Sequence, residues 1–152
     1  MRAMKLLVSG FVLAGAVSVH AATPQETVET RQKNFKQFGA AAKAAGDTLK
    51  TGTPDVAVIH KSAATINALA PRIATWFPKG TGIGRYKGKT GAKPGIWNDN
   101  AGFKAAAASL VKAAGDYKTA ADSGNLSEIR AKQMALGMAC KGSHDKYRQK
   151  DD

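Results

Sequence analysis

Cys140 and His144 stand four residues apart near the C-terminus, in the stretch Met138-Ala139-Cys140-Lys141-Gly142-Ser143-His144-Asp145-Lys146-Tyr147-Arg148. On a helix that spacing puts a thiol and an imidazole one turn apart on one face. Ser143 and Tyr147 flank that face. A soft sulfur, a nitrogen ligand and an aromatic ring on one stripe make a seat for a metal or a cofactor. Cys140 is the chain's one cysteine, so no internal disulfide can form. A zinc centre wants about four ligands, whereas beyond residue 21 the soft donors are His60, His144 and Cys140. No Ser/His/Asp grouping has a spacing suited to a nucleophilic triad, and no enzyme signature is present.

The seat lies at the end of a chain that opens as an export signal. Met1-Arg2-Ala3-Met4-Lys5 is basic, and Leu6 to Val19 is apolar but too short to span a bilayer. Val19-His20-Ala21 offers small side chains at the positions a signal peptidase reads. The expected division is a signal peptide over 1–21 and one domain over 22–152, soluble and periplasmic, with no membrane association after cleavage. Residues 1–21 carry two basic and no acidic side chains, so cleavage takes the formal charge from +12 to +10. Such a field favours acidic partner proteins. The cations are scattered along amphipathic segments rather than gathered in one tract, and an exported chain meets little nucleic acid, so nucleic-acid binding is not expected.

Four helical segments must position the seat. The first opens at Thr23-Pro24-Gln25-Glu26, a cap, a first-turn proline and a capping-box glutamate. Its apolar stripe is Val28, Phe35, Phe38, Ala42 and Ala45, and Gly46 is a natural stop. The second opens at Thr53-Pro54-Asp55, a cap, a first-turn proline and an acid suited to the helix dipole, and carries Ile59, Ala63, Ile66, Leu69 and Ile73, with Pro71 set to kink or interrupt it. The third starts near Asn98-Asp99, carries Phe103, Ala107, Leu110, Val111, Ala114 and Tyr117, and stops at Ser123-Gly124. The fourth is capped by Asn125, with Glu128 three residues on. Its stripe runs through Leu126, Ile129, Gln133, Leu136, Cys140, His144 and Tyr147.

No stretch alternates with period two over strand length. The chain therefore reads as all-α, an antiparallel up-down-up-down four-helix bundle. Lys79 to Gly95 is its one long irregular connection, rich in glycine and interleaved with Lys79, Arg85, Lys87, Lys89 and Lys93. Gly80-Thr81-Gly82-Ile83-Gly84 lacks the preceding strand and following helix that a phosphate loop needs, and the stretch reads as a flexible basic crossover.

The C-terminal motif is one residue short of C-x-x-C-H, the pattern that attaches c-type haem; Ser143 stands at the second cysteine. Together with Arg31-Gln32-Lys33-Asn34-Phe35, Trp76-Phe77-Pro78-Lys79-Gly80-Thr81 and Lys93-Pro94-Gly95-Ile96-Trp97-Asn98-Asp99, it makes the chain resemble the class II cytochromes c, the cytochrome c′ and cytochrome c556 group. The resemblance covers essentially all of the chain after the signal. It implies an exported four-helix bundle holding haem c, with His144 as the axial iron ligand and Cys140 as the covalent attachment. It also implies Arg148 beside that ligand and Arg31 near the haem and its propionates.

Four residues after Arg31, where low-spin members have methionine and cytochromes c′ typically leucine, this chain has Phe35. Phenylalanine has no lone pair, and Met134 and Met138 share a helix with His144. The resemblance then implies a five-coordinate iron, suited to carrying single electrons and to binding a small diatomic gas. Serine cannot form a thioether, so a single link through Cys140 is expected. The rival reading is a haem-free bundle with a binding or structural role, which Ser143 favours. The retention of Cys140, His144, Arg31 and Arg148 favours haem. A homodimer is compatible with both.

Overall fold

The protein is described here by a computed structural model, which covers residues 21–149. The signal sequence expected over 1–21 falls almost wholly outside the described residues. The elements are α1 (Pro24–Leu49), α2 (Val56–Leu69), a 3-10 turn (Ala70–Trp76), the short α3 (Gly95–Asn98), α4 (Asn100–Ser123) and α5 (Leu126–Tyr147). The long helices α1, α2, α4 and α5 form the expected four-helix bundle. Short turns join α1 to α2 and α4 to α5, and residues 77–94 cross between α2 and α4.

Local chemistry sets the helix ends. Thr23 and Glu26 close a reciprocal box at α1: the Thr23 hydroxyl accepts from Glu26 N at 3.2 Å, and Glu26 Oε2 accepts from Thr23 N at 2.8 Å. Asp99 Oδ1 caps α4 through Gly102 N at 3.1 Å, and Asn125 Oδ1 caps α5 through Ser127 N and Glu128 N. Gly124, at φ +72°, ends α4 in the left-handed region that glycine reaches without strain.

Two boundaries differ from expectation, and one expected break is found. α1 runs past Gly46 to Leu49, because Ala45 and Leu49 are buried and packing outweighs the weak helix propensity of one glycine. α2 begins after Asp55, whose carboxylate accepts from Ala57 N at 2.8 Å and Val58 N at 3.1 Å, so Asp55 and not Thr53 is the cap. Pro71 does interrupt the pattern: the chain tightens into the 3-10 turn and still buries Ile73 and Trp76.

The main core gathers Phe38, Ile59, Ile66, Ile73, Trp76, Leu110, Tyr117 and Leu136. A second, smaller cluster holds Ala92, Ile96, Phe103 and Tyr147, and Phe77 packs against both. The crossover is fastened rather than flexible. Ile83 N donates to Ala92 O at 2.9 Å, and Tyr86 N to Gly82 O at 2.9 Å. Gly82 lies under Trp97, where an added Cβ would sit 2.2 Å from the ring.

Candidate cofactor site

The C-terminal half of α5 is apolar on one side and poorly covered. Between Leu136 and Tyr147 no side chain is buried. Cys140 and Ser143 are half-buried and His144 is exposed. Burial nevertheless pushes the Cys140 thiol above its ordinary value, partly opposed by a backbone hydrogen bond, so the sulfur stays protonated at neutral pH. Partial burial, and then the positive charge of Arg148, hold His144 below the usual histidine range, with Asp145 opposing. Its imidazole is therefore neutral at pH 7, the form whose nitrogen lone pair can bind a metal.

Arg148 is not a further helical residue on the His144 face. The helix ends at Tyr147, and Arg148 turns extended with φ −116° and ψ 131°. Its N–H still caps the His144 carbonyl at 2.9 Å, while its backbone forms an isolated antiparallel bridge with Ala92. Lys93 N donates to Tyr147 O at 3.0 Å and Gln149 N to Gly91 O at 2.8 Å, which ties the end of α5 to the crossover.

On α1, Phe35 is half-buried between two fully buried neighbours on its stripe, Arg31 and Phe38. Its ring meets Trp76 edge-on at 5.2 Å and Phe77 at 6.1 Å. The row continues from Phe77 to Phe103 at 5.1 Å and from Phe103 to Tyr147 at 5.4 Å. A line of aromatic contacts thus runs from α1 to the last turn of α5. Tyr147 donates its hydroxyl to Asp99 Oδ2 at 2.9 Å, so the residue that caps α4 also holds that turn.

Arg31 is 4% exposed and faces the crossover. Nη1 donates to Trp76 O at 3.3 Å and Thr81 Oγ1 at 3.0 Å; Nη2 donates to Thr81 O and Thr90 Oγ1, both at 2.9 Å. The guanidinium also lies 4.5 Å from the centre of the Phe77 ring, a cation–π contact. Burial lowers its pKa to about 10, so it remains charged at neutral pH. Four of its five N–H groups are engaged by the chain itself, which leaves Nε for any other acceptor. The sequence singles out Arg31 but not its bonds to Thr81 and Thr90, nor the bond of Asp99 to Tyr147. The Trp76–Thr81 and Lys93–Asp99 segments carry the hints.

These residues fit an iron porphyrin attached through one side chain. Phe35, Phe77, Ala139 and Cys140 all pack against the main core while remaining partly uncovered, an apolar surface suited to a flat macrocycle. A thiol and a neutral imidazole one turn apart are groups able to form a thioether and to donate a nitrogen lone pair. Among the described residues no group of three or more His, Cys, Asp or Glu side chains could hold a bare metal ion, so a ligand set of one imidazole needs a macrocycle to complete it.

Comparison with known proteins agrees. Residues 26–148 match the family model of cytochrome c′. The chain belongs to the cytochrome c′ family. Its members are haem-binding class II cytochromes that carry covalently attached haem c. The chain is 34% identical to a cytochrome c′ of Rubrivivax gelatinosus over 84% of its own length and 97% of that protein's. It also resembles the solved structure of a cytochrome c′ with a ligand-controlled dimer dissociation, with TM-score 0.79 and 26% identity over 86% of this chain and 100% of that one. A second similar structure is the nitric oxide complex of a variant cytochrome c prime from Alcaligenes xylosoxidans, with TM-score 0.76 and 28% identity over 87% and 100% of the two chains. Within this cytochrome c′ fold, no helix among the described residues is long and apolar enough to cross a membrane.

Proposed function

We propose that this chain is an exported, periplasmic cytochrome that holds haem c through His144 and one Cys140 thioether. In this reading it acts as a single-electron carrier and small-gas binder, not as an enzyme. The observation that carries the reading is the pairing of half-buried Cys140 with a neutral imidazole at His144, one turn on, beside an apolar and partly uncovered surface. When bound, haem supplies a one-electron iron couple and an open coordination position.

The chain's own residues do the rest. His144 offers its nitrogen, and Arg148, whose charge acts on that imidazole, favours its neutral form. Phe35 covers the α1 side without donating a lone pair, which leaves room for a diatomic ligand when the ring swings. Arg31 places a permanent positive charge beside Phe77, and only Nε remains to meet a propionate. Ser143 is half-buried and cannot form a thioether, so attachment rests on Cys140. The signal over 1–21, the domain over 22–152, an acidic redox protein as partner and a homodimer belong to the same reading.

The test is expression with export in a host that has haem-attachment machinery, followed by acid-acetone extraction and a reduced pyridine spectrum. Covalent haem, with its band displaced from the two-thioether position towards that of free haem, is expected. A folded, cleaved protein without haem would reject the reading and leave the haem-free bundle, which the serine at 143 favours.

A further inference from the structure

We propose that the crossover, residues 79–93, is a rigid basic docking platform for an acidic electron-transfer protein; this deepens the haem reading and rests on it for the partner's role. From Val56 through Asn98 the sequence contains no Asp or Glu. Lys79, Arg85, Lys87 and Lys89 are exposed, and among the described residues none of them forms an ion pair. Several lysines on the helices do pair with a carboxylate one turn away: Lys112 with Asp116 at 2.8 Å, Lys118 with Asp122 at 2.6 Å, and Lys141 with Asp145 at 2.5 Å. Lys33, Lys36, Lys61, Lys104 and Lys146 on the helices are also exposed and outside these pairs, but they are scattered; the crossover gathers four open cations within eleven residues and has no acid of its own.

Two further features make this charge a surface rather than a loose tail. Arg31 bonds Thr81 and Thr90, and Gln32 Nε2 donates to Lys89 O at 3.1 Å, so α1 grips the loop on both sides of Arg85 and Lys87. Its far end is stitched to α5 by the Ala92–Arg148 bridge and by Lys93 Nζ donating to Asp145 O at 3.1 Å. The open cations therefore sit on a segment fixed to the turn that bears His144. A partner drawn to them by charge arrives at the site's own end of the bundle, with little ordering cost because the loop is already held.

The probe is a deca-glutamate peptide titrated into the full mature holoprotein and followed by amide NMR shifts. A haem-free sample serves equally, so failure of the docking idea is separable from failure of the haem reading. The shifts should concentrate at 79–93 and 145–149. The triple variant R85E/K87E/K89E should bind at least about tenfold more weakly at low salt, and the milder R85Q/K87Q/K89Q should fall between. A control at the other end of the bundle, K43E/K61E/K118E, matches the change in net charge and should weaken binding far less, with the shifts still concentrated at 79–93. Equal weakening by the control, shifts spread over all four helices, or equally tight binding of duplex DNA or phosphatidylglycerol vesicles would overturn the proposal.

Discussion

Arg31 and Thr81 meet twice: Nη1 donates to the Thr81 hydroxyl at 3.0 Å and Nη2 to the Thr81 carbonyl at 2.9 Å. A side chain of the first helix thereby replaces the backbone ladder that an irregular segment lacks. Arg31→Met is expected to destabilise the fold by about 3 kcal/mol, since it strands buried acceptors at Trp76, Thr81 and Thr90. Chemical denaturation of the haem-free protein measures the loss, and limited proteolysis should show the crossover cut first. A stability unchanged from wild type would remove the clasp from this account.

Ser143→Cys restores the second sulfur. Ser143 is half-buried on the same side of α5 as Cys140, so the new thiol needs no change of backbone. Covalent haem yield should rise on export in a host with attachment machinery, and the pyridine band should move to the two-thioether position. An unchanged yield and band would mean that attachment is indifferent to this position.

In the proposed haem reading, Phe35 governs ligand access. The ferrous wild-type holoprotein should bind carbon monoxide readily. Phe35→Met puts a thioether on the α1 side and should convert the spectrum towards low spin, with carbon monoxide affinity falling by about tenfold or more. A wild-type spectrum that is already low-spin and unresponsive to the gas would contradict the distal role of Phe35.

His144 links stability to pH. Its folded value lies below the usual one, so between the two values the unfolded chain binds more protons than the folded chain. Stability of the haem-free protein should therefore rise with pH through this window, up to about 6.5, where the unfolded histidine loses its proton. Denaturation midpoints at successive pH values should show this slope, and His144→Gln should flatten it. Identical slopes in the two proteins would show that the imidazole is not depressed.

Much of the bundle was legible because its signals are local. Thr23 with Glu26, Asn125 with its first turn, and Gly124 each act within a few residues, and the helical stripes repeat in register. Asp55 displaced Thr53 as a cap because either residue type can cap, and only the folded backbone chooses. The crossover was legible as a loop but not as an ordered one. What orders it is Arg31 reaching Thr81 and Thr90 across a gap of 50 residues and more, together with a glycine that fits under Trp97. Cys140 and His144 were evident from spacing, whereas the departure of Arg148 from the helix depends on its pairing with Ala92.

That pairing also orders events in time. The Ala92–Arg148 bridge joins segments far apart in sequence, and two strand residues alone do not offset that loop closure, so the bridge depends on the packing of the helices between them. Once it has closed, the last turn of α5 is pinned at its end and the Cys140 sulfur is half-covered and protonated. A thiol in that state is a poor nucleophile. In the proposed haem reading, covalent loading precedes this closure, and the small antiparallel stitch is the seal set afterwards.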